Sequence, residues 1–146
     1  MNQTPIRRRR PPIVIGDLDH QRLTRLASAA PESMADVADE LLGELDRART
    51  RPQAGLPAGI VRMGSHVTFR SGDGPQKSVQ LVWPGEADIA QGRVSVLTPI
   101  GAALIGLTEG QSIGWEDRSG RTHELTVLAV GQADAAEARP LAEARA

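Results

Sequence analysis

Ser95-Val96-Leu97-Thr98-Pro99-Ile100-Gly101-Ala102-Ala103-Leu104-Ile105-Gly106 changes period halfway along. Val94 to Leu97 is a short apolar run suited to a strand. Thr98 can cap a helix with its hydroxyl, and Pro99 suits the first helical position, where a missing N–H costs nothing. Small residues then allow one or two helical turns against a close neighbour, and Gly106 ends them. A strand running into a short capped helix predicts a sheet with a helix laid on it.

The flanking residues supply that sheet. On the amino-terminal side, Val61, Met63, Ser65, Val67 and Phe69 alternate with Arg62, Gly64, His66, Thr68 and Arg70, the period of a half-buried strand. Ser71-Gly72-Asp73-Gly74-Pro75 is a turn, and Val79, Leu81 and Trp83 mark the next strand. Residues 86–92 form a loop or a short helical turn. On the carboxy-terminal side, Ser112, Ile113 and Trp115 start a strand, Asp117-Arg118-Ser119-Gly120 turns it, and Leu125 to Val130 closes the sheet. Five short strands and one helix predict an α+β domain over residues 60–131.

A different pattern precedes the Pro/Gly linker at residues 56–59. Asp17 is a candidate N-cap before Leu18, Leu23, Leu26, Ala27 and Ala30, and Pro31 stops that helix. Ser33 offers a second cap, with Asp36 three residues on. Met34, Ala38, Leu41, Leu45 and Ala48 then recur at spacings of four and three, flanked by Val37 and Leu42, as in a coiled-coil seam. Asp36, Asp39, Glu40, Glu44 and Arg47 fall on the outer face. Residues 17–52 therefore read as a short antiparallel helical hairpin.

Charge follows these boundaries. Residues 1–16 carry Arg7, Arg8, Arg9 and Arg10 and no acid, and read as a flexible basic arm. Residues 17–50 carry eight acids against four arginines, and residues 132–146 read as a flexible tail. The arginine block is a solvated terminus, or else a transient contact with nucleic acid or an acidic protein surface. Net charge is −1, so the chain as a whole is no polyanion binder.

Composition narrows the chemistry. The only aromatic residues are Phe69, Trp83 and Trp115, too few for a stacking platform or an aromatic-lined pocket. With no Cys there is no disulfide, thiol nucleophile or thiolate metal site. His20, His66 and His123 lie in separate segments without metal-ligand spacing. No phosphate loop or nucleophile-elbow sequence is present, and Glu116-Asp117 reads as a solvated pair beside a turn. No catalytic residue, metal ligand or cofactor is predicted, so the expected class is an interaction module rather than an enzyme. The basic start lacks the apolar stretch of a signal peptide and no run approaches the roughly 20 residues of a membrane span. A cytoplasmic monomer is expected.

The quoted stretch, with Glu86-Ala87-Asp88-Ile89 and Gly92-Arg93-Val94 before it, resembles the carboxy-terminal domain of the bacterial Gre transcript-cleavage factors. Asp17-Leu18-Asp19, Glu44-Leu45-Asp46-Arg47-Ala48 and Leu81-Val82-Trp83-Pro84 bring it closer to the Rnk-type regulators of nucleoside diphosphate kinase, Gre-related proteins that bind RNA polymerase. The resemblance covers about residues 12–130. It implies an FKBP-like domain, an antiparallel sheet with one short helix, behind the hairpin, docking at the rim of the polymerase secondary channel and competing with Gre factors. Thr98, Pro99 and Ile100, with adjoining Gly101, are the implied contacts with RNA polymerase. A Gre factor also has a long coiled coil whose acidic tip helps hold a catalytic Mg²⁺. Here the hairpin is about half as long, and its turn, residues 29–33, has one acid. A lone carboxylate cannot complete an octahedral Mg²⁺ shell. A polymerase-binding regulator without transcript cleavage is the expected function. The rival class is a prolyl isomerase or chaperone-like module on the same scaffold, and direct DNA contact through Arg7–Arg10 is a third reading.

Overall fold

In a computed structural model, residues 11–117 and 119–131 are described. Arg7–Arg10, Arg118 and the tail at 132–146 lie outside them. The order is β1 (Val14–Gly16), α1 (Asp17–Ser28), α2 (Ala35–Arg47), β2 (Arg49–Arg51), β3 (His66–Ser71), β4 (Gln76–Val82), β5 (Arg93–Ser95), α3 (Pro99–Leu104), β6 (Ser112–Glu116) and β7 (Thr122–Gly131). The main sheet runs β5-β4-β3-β7-β6. The mixed α+β class and the five-stranded sheet agree with expectation, but the sheet is not wholly antiparallel. β5 pairs parallel to β4, with Leu81 opposite Val94. Residues 83–92 make this possible, because two 3-10 turns, Pro84–Glu86 and Ile89–Gln91, carry the chain back to the start of its neighbour.

The amino-terminal boundaries shift. Ile13 and Ile15 are buried, and β1 pairs parallel to β2, so the stretch expected as arm becomes core and sheet before residue 16. Asp17 is the first helical residue of α1 rather than its cap. Gly16 holds the cap position without a side-chain bond, and the Asp17 carboxylate accepts from the Gln53 N–H at 3.0 Å. Ser33 likewise makes no cap, because it falls inside a 3-10 turn, Glu32–Met34, that leads into α2. The His20 ring nitrogen lies 2.9 Å from the Leu45 carbonyl oxygen, placing the start of α1 beside the end of α2.

On α2, Ala38, Leu41 and Leu45 are buried as the seam requires. Glu44 was expected outside and is buried, its Oε1 accepting from Arg47 Nη2 at 2.7 Å and Nε at 3.0 Å. On α1 the inward face is Asp19, Leu23 and Ala27, while Leu18 stands 55% exposed. Asp19 compensates its burial by bonds. Its N–H donates to Gln53 Oε1 at 2.9 Å, and its Oδ2 accepts from the Met63 N–H at 3.2 Å. One apolar cluster joins Ile13, Leu23 and Leu41 to Val67, Phe69, Leu104 and Leu125, so helices and sheet share a core.

Val61 and Ser65 are buried, but Met63 between them is only half-buried and the stretch is not strand, since Gly64 has φ +90° and turns the chain into β3. Val61 instead bonds to Leu107 and Gly106. A bulge between β3 and β7 sets Thr68 opposite Ala129 and Phe69 opposite Val127. The extra residue, Leu128, is turned outward and 39% exposed.

Candidate partner-binding site

The turn at Thr98–Gly101 is held from both sides. Ser95 Oγ accepts from the Leu97 N–H at 2.9 Å, and Thr98 Oγ1 donates to the Ser95 carbonyl at 2.7 Å. The same hydroxyl accepts from the Gly101 N–H at 3.0 Å, which is the predicted cap. Pro99 occupies the first helical position, as its fixed φ favours. Gly106 leaves the turn at φ +83°, close against Ile13 and Ile15, where a Cβ would crowd both.

Thr98, Pro99 and Ile100 are half-buried, and Ile100 packs against the core. Gly101 is buried, and a Cβ there would run into the Ser95 carbonyl oxygen. That glycine therefore sets how closely α3 lies on the end of β5. The four residues form one contiguous turn. Leu97 and Leu104 carry the core on either side of it.

Pro99 also lines a groove of about 350 Å³ between α2 and the β6–β7 turn. Met34 and Val37 line it on the helix side with Asp36 and Glu40, and Glu116, Asp117 and Gly120 face them from the turn. Asp117 is less solvated than its sequence suggests. Its Oδ1 accepts from the Ser119 N–H at 2.9 Å, the Arg121 N–H at 3.0 Å and the Ser119 hydroxyl, and its Oδ2 lies 2.8 Å from His123 Nε2. The Ser119 hydroxyl, then the His123 ring, hold this carboxyl well below the usual carboxylate range. Trp115 stacks on His123 with centroids 4.8 Å apart. Sequence reading placed Asp117 and Ser119 in a turn and Trp115 on the strand before it, but did not join them to His123 in one cluster. The signal available was their spacing, since residues facing each other across a tight hairpin are neighbours.

Among the described residues no group of His, Asp or Glu could hold a metal ion. No helix among them is long and apolar enough to cross a membrane.

An α+β domain behind two short helices, carrying this capped turn, has the fold of a Gre-type factor. The family pattern "Transcription elongation factor, GreA/GreB, C-term" matches residues 56–132, and "Rnk N-terminus" matches residues 11–50. The chain belongs to the GreA/GreB carboxy-terminal domain family, with an Rnk-type amino terminus. It is 39% identical over 120 residues to the regulator of nucleoside diphosphate kinase of Escherichia coli strain K12, covering 82% of this chain and 88% of the relative. It is 40% identical over 117 residues to the transcription elongation factor GreA of Xylella fastidiosa strain M12, covering 79% and 73%. A solved GreA/GreB elongation factor from Nitrosomonas europaea superposes with a TM-score of 0.66 at 31% identity, covering 83% of this chain and 98% of that one. These relatives carry the names of regulators and elongation factors.

Proposed function

We propose that this protein regulates transcription by binding RNA polymerase at the Gre-factor site of the secondary channel, without stimulating transcript cleavage. The observation that carries the reading is the joint match: an Rnk-type amino terminus followed by a Gre-type carboxy-terminal domain in one chain. The five-stranded sheet with α3 on it serves as an FKBP-like docking head. Thr98, Pro99 and Ile100 present the contact, and Gly101 allows α3 to hold them in place. Occupancy alone excludes a cleavage factor, because two proteins cannot share one surface. The helices support the absence of cleavage. α1 and α2 have 12 and 13 residues, about 20 Å each, and the turn between them carries Glu32 as its single acid. The isomerase reading is not favoured, since the matched relatives are named for transcription and regulation. In a pull-down, the purified protein is expected to retain core RNA polymerase, and a Gre factor is expected to displace it. Failure to retain polymerase at low salt would reject the proposal.

A further inference from the structure

A stable protein interface buries about 800 Å² on each partner, more than the half-buried turn at Thr98–Gly101 can offer alone. We propose that Leu18, Arg22 and Arg25 of α1, with Trp83 against Arg22, form a second part of the docking surface, and that an acidic segment of RNA polymerase beside the Gre-factor site occupies it. This contact rests on the proposed polymerase docking and extends the same surface.

The three helical residues lie four and three positions apart, so they follow one another along one face of α1. All three are exposed, Leu18 to 55%. The acids of this helix are already engaged. The Asp17 carboxylate accepts from the Gln53 N–H at 3.0 Å, and buried Asp19 accepts from the Met63 N–H at 3.2 Å. Arg22 and Arg25 form no ion pair among the described residues. The other acids of the two helices, Asp36, Asp39, Glu40, Glu44 and Asp46, belong to α2. Within a segment that is acidic as a whole, the outer stripe of α1 is therefore basic with an apolar end, and complements an acidic partner.

Arg22 is also held in place. Its Cζ lies over the Trp83 ring, 5.2 Å from the centroid, within cation–π range. Trp83 is half-buried and packs against the core, so the ring is a fixed support. A guanidinium already resting on a ring has less freedom to lose on binding. Its planar fork pairs with a carboxylate through two parallel bonds.

Trp83 brings this stripe to the capped turn. Val82 lies opposite Ser95, and its carbonyl accepts from the Val96 N–H at 3.0 Å. Trp83 therefore leaves β4 at the same end of the sheet where the chain leaves β5 for Thr98–Gly101. Trp83 and Ile100 pack against one core cluster. A partner surface of ordinary breadth that covers the turn extends to the Arg22–Trp83 pair.

The test titrates the full chain against core RNA polymerase free of nucleic acid, with the melting temperature of every variant measured alongside. Arg22→Glu should weaken binding by about tenfold or more, because it sets a carboxylate against an acidic partner. Arg22→Lys should lose less, and Leu18→Glu should weaken binding while melting near wild type. Arg70→Glu makes the same charge change at the opposite end of β4, where Arg70 faces Gln76, and should bind as wild type. Wild-type affinity in Arg22→Glu or Leu18→Glu would overturn the second contact and leave the docking reading standing. An equal loss in Arg70→Glu would overturn it by reducing the effect to net charge. Should Arg22→Glu melt early, Leu18→Glu decides the matter alone. A loss seen only when DNA or RNA is present would assign the stripe to phosphates and overturn the acidic partner. No binding by the wild-type chain would reject the docking reading itself, and the second contact with it.

Discussion

Asp117 shows how a single position acquires a role that its neighbours in sequence do not announce. Beside Glu116 it reads as one of two solvated acids. In the fold its carboxylate gathers the Ser119 and Arg121 N–H groups, the Ser119 hydroxyl and the His123 ring, and so fixes one wall of the groove. The hydroxyl of Ser119 and the ring of His123 favour the charged form and lower its pKa. An unfolded Asp titrates near about 3.9. The unfolded chain therefore binds this proton more tightly, and the carboxylate's contribution is complete above about pH 5 and lost as pH falls below it. Asp117→Asn should lower the denaturant midpoint at neutral pH, and the gap from wild type should narrow as pH falls towards about 3. A gap independent of pH would show that the charge on Asp117 does not hold the turn. Gly101 is the converse case. The quoted motif predicts small residues there, but the Ser95 carbonyl that forbids a Cβ is visible only in three dimensions.

Among the elements, α2 was the most legible, because its seam repeats at a spacing only a helix satisfies. Leu41 and Leu45 are 0% and 3% exposed, and Asp39 is exposed. In denaturant titrations, Leu41→Ala should cost about 2–4 kcal/mol and Asp39→Ala less than about 0.5 kcal/mol. Equal losses would contradict the packing of this helix. The same periodic reading went astray where a hydrogen-bonded acid is buried. Glu44 is paired by Arg47, and Asp19 is held by Gln53 and Met63, so both lie inside despite their charge. The β1–β2 pair escaped notice because its strands are three residues each and lie across the whole helical segment from one another. The parallel placement of β5 was hidden for a similar reason: hydrophobic pattern reveals a strand but not its neighbour.

At the scale of the molecule, the family was legible because Ser95–Gly106 joins a cap, a helix-start proline and a close-packing glycine in fixed order. The division into hairpin, linker and domain was less so. Leu56 and Ile60, in and beside the linker, are buried, and the helices share one core with the sheet. The head and helices are therefore expected to dock as one body, with the capped turn and the groove on adjoining surfaces. Backtracked RNA polymerase complexes supplied with a Gre factor test this directly, with RNA length followed over time as the protein is added. The protein should slow Gre-stimulated shortening in proportion to its occupancy and should shorten no RNA alone. Shortening by the protein alone, or Gre cleavage unchanged at saturating protein, would contradict occupation of the Gre site.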